Sequence, residues 1–106
     1  MPFKIIKNLA EKYPLPGCHL RVIHTESMTS AYWEIDAGSD IPNHSHPNEQ
    51  IMNLIEGEFE LTIQGESKHM KPGMVAVIPS NASHSGKAIT DCRVIDVFHP
   101  VREDLK

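Results

Sequence analysis

At 106 residues the chain has room for one domain with its own core, because a chain of this size buries roughly two-thirds of its unfolded surface. Hydrophobic residues at 40% against 23% charged exclude intrinsic disorder. Fourteen acidic residues against ten basic ones, a formal net charge of −4 with no Lys/Arg cluster, exclude a nucleic-acid-binding surface. No apolar run approaches the ~18 residues of a membrane span, and the N-terminal MPFKIIKNLAEK lacks the apolar core of a secretion signal. The address expected is therefore cytoplasmic, with no membrane partner. Cys18 and Cys92 lie far apart in apolar surroundings and are expected as reduced thiols in the core or wall.

Taken in order, Phe3 to Leu9 is apolar but too short to separate strand from helix. Tyr13-Pro14-Leu15-Pro16-Gly17, with two prolines and a glycine, is expected to be irregular. His19 to His24 and Thr29 to Ile35 alternate as strands; in the second, Ala31, Trp33 and Ile35 share one face. After the turn at Ala37-Gly38-Ser39-Asp40 comes a short extended piece, Ile41 to Asn43, and a bend at Pro47-Asn48. Strands are expected at Gln50 to Ile55, Glu58 to Ile63, Lys68 to Met70, Met74 to Ile78, Ser83 to Ala88 and Cys92 to Phe98, punctuated by glycine, proline and asparagine turns. Eight or nine short strands without a persuasive helix define an all-β sandwich or barrel.

His44, His46 and Gln50 stand at even spacings within Gly38 to Gly57. Side chains two residues apart on a strand share a face, ~6.6 Å apart at Cα, so one ion above that face accepts both imidazoles. Three imidazole nitrogens with one amide oxygen suit a borderline first-row divalent ion such as Zn, Ni, Mn or Fe. His84, five residues past Pro79, is the third histidine of that set, whereas His19, His24, His69 and His99 lack such partners.

These residues carry a resemblance to the cupin superfamily. Gly38, His44-x-His46, Gln50 and Gly57 reproduce the spacing of its first motif, and Gly73, Pro79 and His84 that of its second. Three positions depart from the pattern: Gln50 stands for the usual Glu, Asn81 for a Gly, and Ala88 for the closing Asn. A neutral amide leaves the ion its two full charges, which favours Lewis-acid work over oxygen activation. The fold implied is a single-domain cupin, a small double-stranded β-helix or jelly-roll barrel over 18–100. Residues 1–17 form an N-terminal strand and loop available for exchange with a second subunit, and 101–106 a C-terminal tail.

From about Ala31 to Asp104 the chain further resembles KdgF, the pectin-degradation cupins. It does so through His-Ser-His-Pro-x-Glu-Gln and through Asp96-Val97-Phe98-His99-Pro100-Val101-Arg102-Glu103-Asp104. That resemblance implies a homodimer that converts 4,5-unsaturated uronate monosaccharides, left by pectin or alginate lyases, into linear keto sugars. It implies a metal held by His44, His46, Gln50 and His84, and catalytic or substrate roles for Asp96, Phe98 and Arg102. The residues agree: Asp96 and Phe98 share a strand face, and the planar fork of Arg102, past Pro100, fits a carboxylate. The alternatives are a cupin that binds a sugar or small acid without converting it, and a metal-dependent dioxygenase or isomerase acting on another substrate.

Overall fold

The computed structural model describes residues 2–106 and contains ten strands in two antiparallel sheets. In chain order they are β1 (Lys12–Leu15), β2 (Cys18–His24), β3 (Thr29–Ile35), β4 (Asp40–His44), β5 (Glu49–Glu56), β6 (Phe59–Ile63), β7 (Glu66–Met70), β8 (Val75–Ile78), β9 (His84–Ala88) and β10 (Cys92–His99). One sheet runs β1-β2-β3-β10-β5-β8 and the other β4-β9-β6-β7. The helical structure among the described residues is two single 3₁₀ turns, Ile6–Asn8 and Glu103–Leu105. Among the described residues no helix is long and apolar enough to cross a membrane.

Strict two-residue alternation builds the core. On β5 the side chains of Gln50, Met52 and Leu54 turn inward while Ile51 and Ile55 face out; on β10 Cys92, Val94, Asp96 and Phe98 turn inward. Met52, Leu54, Cys92 and Val94 of these rows meet Phe59, Leu61, Met70 and Ile78 from the other strands to form the main apolar cluster, and Phe98 packs with Leu20 and Ala31 in a second. Each fully buried Leu or Phe there contributes roughly 1.5–3 kcal/mol through burial alone. Both cysteines are buried and free, as their surroundings imply.

Two sequence expectations need correction. Lys12–Leu15 is a strand despite Pro14, because β1 is the sheet's outermost strand and a residue there can forgo its ladder hydrogen bond. The Phe3 to Leu9 stretch holds no strand: Ile6–Asn8 make one 3₁₀ turn, and Phe3 and Ile5 are exposed.

One glycine of the motif pattern and two of the three departures from it have local explanations. Gly57 sits at φ +89°, in the left-handed region, and a β-carbon there would run into the Asp91 carbonyl, so only glycine fits. Asn81 also adopts a left-handed φ, 64°, which asparagine tolerates better than other side-chain-bearing residues. Ala88 is wholly buried, and its backbone exchanges hydrogen bonds with Gly38 and Ser39, a place that asks only for a small side chain.

Candidate metal centre and adjoining cavity

The β4–β9 pairing sets His44 directly opposite His84. His46 lies beyond the end of β4, in the bend before β5, and Gln50 is the second residue of β5. The expectation that one continuous strand face carries both histidines is therefore corrected: the chain leaves the sheet after His44, and the bend swings His46 back toward the other two rings. Ring centroids lie 4.2 Å apart for His44 and His84, 5.0 Å for His46 and His84, and 5.8 Å for His44 and His46. One ligand nitrogen from each lies within 4.8 Å of the others. Asn81 N–H donates to the His46 carbonyl at 2.8 Å and Ser80 Oγ–H to that of Pro47 at 2.6 Å, fixing the bend against the turn that leads to His84.

The donor atoms are prepared for a cation. Each histidine directs Nδ1–H at a backbone carbonyl: His44 to Pro42 at 2.8 Å, His46 to Asn48 at 3.0 Å, and His84 to Ala82 at 2.9 Å. That network assigns the tautomers, leaving a lone pair on every Nε2. The His84 Nε2 is buried with no hydrogen-bond partner. His46 Nε2 lies 3.1 Å from Gln50 Oε1, two acceptors face to face. A bound cation satisfies all of these at once, so the residues fit a metal ion. Burial depresses the imidazole pKa of His46 and of His84, helped in both by the charge of Arg102 and by neighbouring histidines, so both rings stay neutral and able to ligate at neutral pH.

A cavity of about 420 Å³ adjoins this cluster, lined by His44, Gln50 and His84 together with Trp33, Ile35, Met52, Phe59 and Leu61. Asp96, Phe98 and Arg102 line it too. On β10, Phe98 sits opposite Gln50 and Asp96 opposite Met52, so strand register carries the far end of the chain to the metal centre. The Phe98 ring meets His46 edge-on with centroids 5.5 Å apart, and the Arg102 guanidinium lies over the same ring, 4.7 Å from its centroid. All seven residues singled out from the sequence thus gather in one place.

Asp96 is 7% exposed, and its Oδ1 has no hydrogen-bond partner. Burial raises its pKa from 3.8 to about 7; Gln50, Trp33 and the charge of Arg102 pull the other way without cancelling the cost of desolvation. A carboxyl poised near neutrality beside a candidate metal centre is suited to moving a proton.

Arg102 is not free in this structure. Its Nε–H and Nη2–H donate to the two Asp104 carboxylate oxygens at 2.9 and 2.6 Å, so the fork already holds a carboxylate in the bidentate geometry it would offer a ligand. The same guanidinium holds the Asp104 carboxyl below its ordinary pKa. Sequence reasoning passed over Asp104 and the indole of Trp33, whose Nε1 is buried without a partner. Trp33 had a usable signal, since parity put it on the inner face of β3. Asp104 had only its place two residues past Arg102.

Two antiparallel sheets enclosing a three-histidine centre define a cupin. The cupin domain model matches residues 31–98, and the chain belongs to that family. Among solved structures it is similar to KdgF from Halomonas sp., with a TM-score of 0.93 and 28% identity over 100% of this chain and 99% of that one. It also shares the fold of an RmlC-like cupin from Shewanella frigidimarina, with a TM-score of 0.94 and 22% identity over 100% of this chain and 96% of that one. An uncharacterized protein of Streptomyces coelicolor is 24% identical over 99 residues, 92% of this chain and 94% of that protein. The chain is therefore a single-domain cupin resembling KdgF.

Proposed function

We propose that this cupin opens the ring of 4,5-unsaturated uronate monosaccharides and converts them to linear keto sugars. The observation that carries the reading is the buried, neutral-range carboxyl of Asp96 in the same cavity as the histidine cluster and a guanidinium fork. The overall likeness to KdgF supports it.

His44, His46, His84 and Gln50 would hold one divalent ion, which supplies a Lewis acid against the negative charge that develops on the ring oxygen. Arg102 would grip the uronate carboxylate once Asp104 yields the fork. Phe98 packs the sugar face and fixes the guanidinium above its ring. Asp96 carries the proton: as its carboxylate it accepts that of the anomeric hydroxyl as the bond between C1 and the ring oxygen breaks, and as its acid it delivers a proton to C4. Burial that holds its pKa near 7 lets it serve in both forms at neutral pH.

The protein is expected to act as a homodimer. Phe3 and Ile5 at the N-terminus, and Ile51, Ile55, Val75 and Val77 on the outer face of β5 and β8, are exposed apolar side chains that a second copy would cover. Deleting residues 2–9 should then lower the mass in solution.

The test is the ultraviolet absorbance of the conjugated enol ether, followed for a panel of unsaturated galacturonate- and alginate-derived sugars. The wild type should accelerate its loss, and Asp96→Ala and His46→Ala should not. Tight calorimetric binding of a saturated uronate with no turnover of the unsaturated one would replace this reading with that of a binding module.

A further inference from the structure

Asn48 touches neither the cavity nor the histidine nitrogens that face it, yet it is buried and bonded in two directions. Its backbone carbonyl accepts the His46 Nδ1–H at 3.0 Å. Its side-chain Nδ2–H₂ donates to the carbonyl of Pro100 at 2.5 Å, and that of Val101 lies 3.4 Å away. Those carbonyls belong to the segment immediately before Arg102. One residue therefore contacts both the imidazole of the candidate metal centre and the backbone that aims the guanidinium.

The segment has a second anchor on the opposite side. Arg102 N–H donates to the hydroxyl of Thr29 at 2.9 Å, and that hydroxyl, wholly buried, lies 2.8 Å from His24 Nδ1. Beyond Arg102 the chain makes one 3₁₀ turn, and Leu105 packs on Leu20, Ala31 and Phe98. The tail has no strand partner after His99, so these two polar anchors, the packing of Leu105 and the stacking of Arg102 on Phe98 hold it. Replacing the Asn48 amide removes the side-chain donor that ties the part-buried Pro100 and Val101 carbonyls to the bend.

We infer that Asn48 is a positioning residue that ties the carboxylate-binding tail to the metal-binding bend, setting the distance between the two ends of a bound ligand. The part of this that concerns a ligand rests on the uronate reading; the mechanical part does not.

The test compares wild type with Asn48→Ala, and with the near-isosteric Asn48→Asp should the alanine variant fail to fold. The first readout, independent of any substrate, is amide hydrogen exchange. The Arg102 N–H should exchange about 10-fold faster, about one hydrogen bond's worth, while the Val94 and Asp96 amides of β10 keep their rates. The second readout is kinetic: KM for the unsaturated uronate should rise about 10-fold with a smaller change in kcat, and Asn48→Ala should add almost nothing in an Arg102→Ala background. Unchanged exchange at Arg102, or full additivity of the two substitutions, overturns the inference. A wild type that consumes no unsaturated uronate removes the uronate reading alone, and the exchange result still decides whether Asn48 holds the tail.

Discussion

The histidine cluster and the C-terminal tail, which line one cavity, are built on opposite principles. At the metal end, each imidazole is oriented by a carbonyl two residues away in sequence, from Pro42, Asn48 or Ala82. At the tail end, the chain is held by partners 52 and 73 residues away, Asn48 and Thr29, and its guanidinium is occupied by its own neighbour Asp104. The first arrangement is pre-set before any ligand arrives. The second is assembled by tertiary contacts and must release one carboxylate to accept another. Rigid local geometry suits ion binding, while an exchangeable carboxylate contact suits a ligand that enters and leaves.

If that contrast is right, substitutions at the metal end abolish turnover and those at the tail tune affinity. His84→Ala removes a candidate ligand whose Nε2 is buried and otherwise unpartnered, and should lower kcat/KM by about 10³-fold or more together with bound metal. Metal analysis of the purified variant checks the second half. A variant that keeps both its metal and its rate would break the contrast at its stronger side.

Asp96→Asn should keep metal and lower kcat by about 10²–10⁴-fold, the usual contribution of a positioned proton-transfer group. The same variant sharpens the electrostatics. The folded state raises the Asp96 pKa from 3.8 to about 7, so between those values the unfolded chain binds fewer protons than the folded one. Stability of the metal-free protein therefore falls as pH rises from about 4 to about 7 through this group, by an amount on the order of 4 kcal/mol in the limit of no relaxation. Chemical denaturation at a series of pH values should show Asp96→Asn gaining stability relative to wild type across that window, with no gain at pH 3.

Arg102→Ala should raise KM about 10- to 100-fold with a smaller effect on kcat, and Arg102→Lys should recover little, because an ammonium cannot reproduce the bidentate fork. The smallest effect belongs to Asp104→Asn. It frees the fork of a largely solvent-exposed partner, and exposed pairs are worth about 1 kcal/mol or less, so KM should fall by about 2- to 5-fold. A rise in KM instead would mean that Asp104 positions Arg102 rather than competing for it.

The same contrast governs how much was legible in the sequence. His44, His46, Gln50 and His84 could be singled out by spacing, and the structure brings them together. Even there, strand parity was the wrong reason for His46, which a bend delivers. Asp96 and Phe98 were readable from alternation on β10, and the structure adds the register with β5 that sets them against Gln50 and Met52. Asn48 looked like an ordinary turn residue and Thr29 like the start of a strand, since hydrogen bonds to the distant tail leave no trace in local pattern. Pro14 misled for a related reason: whether a proline is tolerated in a strand depends on the strand lying at an edge, which is a property of the assembled sheet.

In the function proposed, the histidine cluster and the Asp96–Arg102 side act together on one unsaturated uronate. The most direct test of this is the rate of enol-ether absorbance loss, measured on the intact protein, after treatment with a strong chelator, and after re-addition of single divalent ions. The rate should fall to the spontaneous value with chelator and return with at least one ion. An acceleration that survives complete removal of metal, or none with any ion restored, would contradict it.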